Sequence, residues 1–454
     1  MTRKFINNEE AAEIVSQQSL DFAVIHNPDY IYPPVELYPL ATKITTKREN
    51  LSAVVMDMDG TTTTTEELCL HSLEYMIRQI SNRPQKTDWR GLDHIIDYPH
   101  IIGNSTTKHV EFLITRYSNF IKRDSFRDAY FFAALWTLIT SHDENRKKEV
   151  RNNLVNLGCK DMLEDPKLAA YIEKGAFDRS AHAITGYFVS RYGSGFRTDS
   201  YSATVRAAID IYYQRYHEIL ELIKSGKGSQ LAGELLDSPG KHLIEPMPGV
   251  GIFLALVKGW LGEDIKYLFG ELVAGLKVKL SNQYTPVDTD VVSNKLFHLS
   301  KKFEESPLKV GIVTSSILYE ADIVMKEVFA VLKEQVDGWK ITADRKAFLK
   351  DKFSDYRNVY DTFVTASDSS EIRLKPHRDL YSIALHQLGI PKSKFHEVAG
   401  FEDSESGTIS IRAAGIGLCV AVPFAKTSGH DLSAASYILN GGLPECLLVH
   451  NLFL

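Results

Sequence analysis

From Glu66 to about Ile244, apolar residues recur at three- and four-residue spacing; on either side of that stretch they come in short unbroken runs. The clearest periodic case is Tyr201–Ile223, where Val205, Ala208, Ile209, Tyr212, Tyr216, Ile219, Leu220 and Ile223 share one helical face. The same spacing predicts helices over Glu66–Ile80, Ser105–Phe120 and Ser125–Thr140, with a glycine-containing break at Arg191–Ser200. Residues 63–245 therefore read as an all-α insertion of roughly 180 residues, enough to bury its own core.

The unbroken runs tell a different story. Strands are predicted over 51–58, 308–314, 363–366, 396–400 and 417–422. Helices are predicted between them at Val250–Gly259, 319–335, Asp379–Leu388 and 406–414. Strands alternating with helices imply right-handed crossovers and a parallel sheet, so the expected class is α/β with a Rossmann-like core. That core comprises 51–62 and 246–454, interrupted by an irregular insertion at about 261–306 with a helix near 290–304. Residues 1–50 form an extension expected to pack on the core. Asn8 or a neighbour caps a helix near Glu9–Gln17, and the prolines of 27–40 exclude a regular helix there.

Composition adds limits. The chain has 454 residues, 44% hydrophobic and 24% charged, as in ordinary soluble enzymes. A net charge of −6 with mixed signs argues against nucleic acid as a partner. The four cysteines lie far apart with no metal spacing, and read as reduced thiols. No run is long and apolar enough for a membrane span, and the opening MTRKFINNEEAAEIV lacks the apolar region of a signal peptide, so a cytoplasmic location is expected.

The strand ends carry the chemistry. Asp57 and Asp59 close the first run, followed by Gly60 and Thr61; Thr314, Ser315 and Ser316 close the second. Lys375 precedes a helix, and Glu402 and Asp403 follow Phe401. In a parallel sheet these ends share one edge, where ligands bind. Carboxylates there suit Mg²⁺, while hydroxyls, helix-start amides and a lysine suit a phosphoryl group.

The motifs DMDGT (57–61), PMPGV (246–250), VGIVTSS (310–316), LKPHRDLYSIALHQLGI (374–390) and FEDSESGTISIRAAGIGLCVAVP (401–423) resemble, in this order, the haloacid dehalogenase superfamily. Within it the chain looks like the helical-cap branch of β-phosphoglucomutase and phosphoglycolate phosphatase-like proteins. The resemblance implies Asp57 as nucleophile, Asp59 as general acid and base, and Thr314 or Ser315 as phosphate ligand. Lys375 would neutralise the nucleophile and phosphate. Mg²⁺ would be held by Asp57, Asp403 with Glu402 beside it, and the backbone carbonyl of Asp59. Gly60, Thr61, Ser315 and Ser316 would contact substrate. The dehalogenases that name the superfamily lack an acid at the place of Asp59, so phosphoryl transfer to or from a small phosphorylated metabolite is the expected reaction. A phosphatase leads; a sugar-phosphate mutase, a phosphonoacetaldehyde hydrolase-like enzyme using Lys108, and a non-catalytic binding protein are the alternatives.

Other features stay open. Gly103–Lys108, with Asn104 and Ser105, reads either as a substrate-contacting cap loop or as a helix N-cap. Arg191 and Arg197 could flank an anion-binding loop or simply lie on the surface. His71 reads as core or surface packing, the alternative being the histidine that capped mutases carry near this place. Gly415-x-Gly417 falls after a helix and before a strand, the reverse of the dinucleotide fingerprint, and reads as a helix stop.

Overall fold

The computed structural model describes residues 5–27, 31–46, 48, 50–83, 87–102, 105–175, 177, 182–281, 288–370, 373–424, 429–450 and 452–453. The chain divides into two compact units, one of Met1–Thr65 with Ile244–Leu454 and one of Glu66–Leu243.

The first unit contains eight strands among the described residues: β1 (Asp21–His26), β2 (Val35–Leu40), β3 (Ala53–Asp57), β4 (Lys309–Val313), β5 (Thr362–Val364), β6 (Val398–Glu402), β7 (Leu418–Ala421) and β8 (Tyr437–Ile438). The last six form one parallel sheet in the order β5–β4–β3–β6–β7–β8. Every residue of β3, β6 and β7 is buried, which is why these segments read as continuous apolar runs rather than alternating ones. The chain steps outward from β3 to β4 and β5, then returns to the other side of β3 with β6. This reversal puts the topological switch point at the carboxyl ends of β3 and β6, the place where open α/β sheets bind ligands.

Helices Val250–Val257, Leu318–Gly338, Asp379–Gln387 and Glu405–Ala413 supply the crossovers. Val250–Val257 is buried at every position, so its sequence carries no polar face. The insertion at 261–306 is not surface decoration. Its helices Phe269–Leu280 and Thr289–Glu305 bury Leu272, Leu276, Leu296, Leu299 and Phe303. Phe303 and Phe253 both meet the ring of Phe453 near the chain end.

The extension before β3 carries the expected helix, Asn8–Ser16, capped by Asn7, the neighbour of Asn8, through a reciprocal bond with Glu10; what the sequence reading lacks is its two strands. The proline-containing segment includes strand β2, which pairs antiparallel with β1. Its partner is the strand just before it, but its support is distant in sequence. Ala23, Ile25, Tyr38 and Leu40 pack against Ala413 and Ile409 of helix Glu405–Ala413. Arg412 of that helix donates to the Ala41 carbonyl at 2.9 and 2.6 Å and to Asp21 at 2.9 Å. Strand β8 and helix Gly442–Leu448 were likewise not foreseen.

The second unit is helical, with no strand among its described residues. Helix Tyr201–Lys224 runs through its middle and packs on Glu66–Ile80, Thr106–Arg116 and Arg123–Thr140. Its buried face includes Val205, Ala208, Tyr212, Tyr216, Ile219, Leu220 and Ile223, the positions set by the helical period. Among the described residues, no helix is long and apolar enough to cross a membrane.

Candidate active site

Register brings the strand ends together. Met56 of β3 pairs with Ile312 of β4 and with Phe401 of β6, so Asp57 and Glu402 both follow at the sheet's carboxyl edge. Lys375 reaches in between them: its ammonium donates to Asp57 Oδ1 and, at 2.6 Å, to Glu402 Oε1. All three side chains are almost fully buried. Glu402 is heavily bonded. Oε1 also accepts from the Tyr381 hydroxyl at 3.2 Å, and Oε2 accepts from the amides of Asp403 and Ser404 and from the Ser404 hydroxyl, at 3.0, 3.1 and 2.9 Å.

The loop after β3 is built by its threonines. The Thr62 hydroxyl donates to the Asp57 carbonyl at 2.6 Å and that of Thr63 to the Met58 carbonyl at 3.1 Å, tying the turn to the strand it leaves. Thr64 and Glu245 exchange hydrogen bonds at 2.9 and 2.8 Å, so the outgoing and returning segments lie side by side. Asp59 receives three hydroxyls: Thr65 on Oδ1 at 2.5 Å, and Thr314 and Ser316 on Oδ2 at 2.8 and 3.4 Å. Thr314, expected as a phosphate ligand, thus spends its hydroxyl hydrogen on Asp59. Ser315 is exposed.

Gly60 has φ +80° and leaves room for Asp403; a Cβ at Gly60 would lie 2.4 Å from Asp403 Oδ2. The buried Thr61 hydroxyl has no hydrogen-bond partner among the described residues.

Asp57, Glu402 and Asp403 offer oxygens that lie within 4.8 Å of one another. Burial, with Glu402 adding to it, pushes Asp57 well above the ordinary aspartate value of 3.8 in spite of Lys375. Burial draws the Lys375 ammonium down, but Asp57 and Glu402 more than offset this and hold it above 10.5. With Lys375 kept charged, the ionisation of Asp57 is what the site holds back. An all-carboxylate oxygen set in which burial and a neighbouring carboxylate disfavour the charge on Asp57 fits a hard divalent cation, which would offset that charge. Asp59 stands outside this set, its carboxylate bound by hydroxyls.

Of the residues predicted from sequence, Asp57, Asp59, Gly60, Thr61, Thr314, Ser315, Ser316, Lys375, Glu402 and Asp403 all lie at the carboxyl ends of β3, β4 and β6 or on the loop carrying Lys375. Asn104 lies outside the described residues. Ser105 is in the helical unit, where it precedes helix Thr106–Arg116 without a side-chain cap bond; Lys108 on that helix is exposed. His71 touches Arg215 at 3.4 Å in the same unit, and Arg191 bonds to Tyr192 at 3.1 Å. Gly415, with φ +103°, ends helix Glu405–Ala413.

Several contributors were missed. Tyr381 and Ser404 hold Glu402, and Thr65 holds Asp59; Ser404-x-x-Gly407 at a helix start was the one local signal available. Lys279, from the insertion, donates to the Pro423 carbonyl just past β7 at 2.9 Å. Burial lowers its ammonium below 10.5 while nearby Asp403 opposes the shift.

No family model matches the chain, and none of the curated proteins is a match. Among solved structures it is similar to CbbY from Rhodobacter sphaeroides in complex with phosphate, at 13% identity over 89% of this chain and 100% of that one, with a TM-score of 0.40. It is also similar to a HAD-superfamily hydrolase of subfamily IA from Geobacter sulfurreducens, at 13% identity over 89% and 100%, TM-score 0.29. A third is the β-phosphoglucomutase of Clostridium difficile, at 13% identity over 86% and 90%, TM-score 0.27. Identity and TM-score are low throughout, and the α/β architecture stands on the strand order itself.

Proposed function

We propose that this chain is a Mg²⁺-dependent phosphatase that hydrolyses a small phosphorylated metabolite through an aspartyl-phosphate on Asp57. The observation that carries this reading is the buried Asp57–Lys375–Glu402 bridge, with Asp403 beside it, at the reversal point of a parallel sheet.

An Asp57 carboxylate oxygen attacks the phosphorus of the monoester, and the bond to the leaving oxygen breaks. Asp59 gives its proton to that oxygen, so the product leaves as an alcohol. Asp59, now a carboxylate, takes a proton from water as the water oxygen attacks the same phosphorus; inorganic phosphate departs and Asp57 is restored. Thr65, Thr314 and Ser316 aim the Asp59 carboxylate through their hydroxyls. Lys375 balances the charge on Asp57 and on the phosphoryl oxygens, and Ser315 and Thr61 are the hydroxyls with hydrogens to offer a phosphoryl group. Asp57 and Asp403, with the Asp59 carbonyl, would hold Mg²⁺, while Glu402 orients Lys375. When bound, the cation would neutralise part of the charge that the carboxylates and the phosphoryl group bring together.

Purified protein with Mg²⁺, offered a broad panel of phosphate monoesters, should release inorganic phosphate from a subset. Asp57→Asn should abolish release while leaving thermal unfolding cooperative. Release undiminished in that variant would refute the nucleophile assignment.

A further inference from the structure

The turn that carries Lys375 is gripped from both sides by the N-terminal hairpin. His377 donates its amide to the Leu374 carbonyl at 2.9 Å, which places Lys375 and Pro376 at the centre of a tight turn. Arg373 enters that turn and His377 leaves it, and both meet side chains of β2. Arg373 donates to Glu36 Oε2 at 3.3 Å, and His377 Nδ1 lies 2.6 Å from the Tyr38 hydroxyl, which is itself 3.0 Å from Glu36 Oε2.

The donor roles follow from what each group can do. The Glu36 carboxylate accepts only, so it takes the Tyr38 hydroxyl hydrogen. Tyr38 then has a lone pair to offer, and His377 must donate from Nδ1. Every group in the chain from Arg373 through Glu36 and Tyr38 to His377 is satisfied in that one tautomer.

The brace is anchored behind and in front. Arg373 makes a forked pair with Asp379 at 2.9 and 2.9 Å, and Ser410 donates to the His377 carbonyl at 2.6 Å. Asn27 holds the other Glu36 oxygen at 3.1 Å. Arg373 and Arg378 lie over the Tyr38 ring, 5.9 and 5.2 Å from its centroid. The hairpin itself is fixed to helix Glu405–Ala413 by Arg412 and by apolar packing.

We infer that the β1–β2 hairpin is part of the working site, a brace that sets the Lys375 turn, and that Tyr38 and Glu36 are positioning residues for the lysine. The inference rests on the reading of Lys375 as the cation of a phosphoryl-transfer site. Its physical basis is that a lysine bridging two buried carboxylates must be held by its backbone, since a displacement of about 1 Å can cost ~100-fold in rate.

The test compares wild type with Tyr38→Phe, which keeps the ring and deletes the hydroxyl, and with Glu36→Gln. Hydrogen exchange should quicken roughly 10-fold at the His377 amide and stay unchanged in β3 and β6. In both variants kcat should fall about 10-fold with KM little changed. In a Lys375→Met background, Tyr38→Phe should lower the residual rate no further, because the brace acts through the lysine; an independent structural loss would multiply instead. Unchanged exchange at His377, an unchanged kcat, or a full multiplicative loss in the Lys375→Met background would each overturn the brace. If wild type releases no phosphate from any ester, the phosphatase reading fails, and exchange at His377 in the two variants alone decides the brace.

Discussion

Thr314 donates its hydroxyl hydrogen to Asp59 Oδ2 at 2.8 Å, across the edge between β4 and the loop that follows β3. The same hydroxyl accepts the Ser316 amide at 2.9 Å. Thr314 is therefore committed in both directions, and in the proposed reaction it aims the Asp59 carboxyl. Thr314→Val should lower kcat by about 10- to 100-fold while stability drops by only ~1–2 kcal/mol. Steady-state kinetics and urea midpoints on the same preparation check both halves.

Gly60 should tolerate no side chain. Its φ of +80° disfavours any L-residue, and a Cβ would sit 2.4 Å from Asp403 Oδ2. Gly60→Ala is expected to cost about 1–3 kcal/mol and, by displacing Asp403, to weaken Mg²⁺ binding at least ~10-fold. Chemical denaturation gives the first figure and titration calorimetry with Mg²⁺ the second.

Gly407 reverses an ordinary rule. It lies within helix Glu405–Ala413, where alanine is normally worth about 1 kcal/mol more than glycine. Here a Cβ would fall 1.8 Å from the Glu402 carboxyl carbon. Gly407→Ala should destabilise by roughly 3 kcal/mol or more, since it displaces a buried, hydrogen-bonded carboxylate. A variant as stable as wild type would mean that Glu402 is not held where described.

His377 makes the hairpin sensitive to acid. Burial, with Arg373 adding to it and Glu36 and Asp379 opposing, holds its imidazole below the ordinary 6.5; the Tyr38 hydroxyl faces its Nδ1. Between that lowered value and 6.5 the unfolded chain binds more protons than the folded one, so stability falls as pH drops through the window. Urea midpoints measured from pH 7.5 down to 5 should decline in wild type, and the part of the decline belonging to this residue should vanish in His377→Asn.

The residues themselves determined the periods. Runs such as Ala53–Met56 and Val398–Phe401 lack polar residues because both faces of a parallel sheet are covered, and Tyr201–Lys224 shows the helical spacing in its apolar residues, although its middle also buries Asp210, Gln214, Arg215, His217 and Glu218. Strands and helices in alternation then bring Asp57, Thr314, Lys375 and Glu402 to one edge, so most of the candidate site was legible before any coordinates. These are local patterns, and local pattern is what a sequence displays.

Tertiary structure decided which group bonds to which. Nothing near Asp59 announces that it will take hydroxyls from Thr65, Thr314 and Ser316, and nothing in 261–306 announces that its helices will bury Phe303 against Phe453 or send Lys279 to the carbonyl beyond β7. The hairpin is the plainest case. Prolines and polar residues obscure β2, and its inward face is covered by a helix whose Arg412 bonds to Ala41, 371 positions away. A two-stranded ribbon is marginal by itself, so its existence depends on that distant support. The same contact carries Tyr38 to His377 and makes a segment with no motif of its own a neighbour of Lys375.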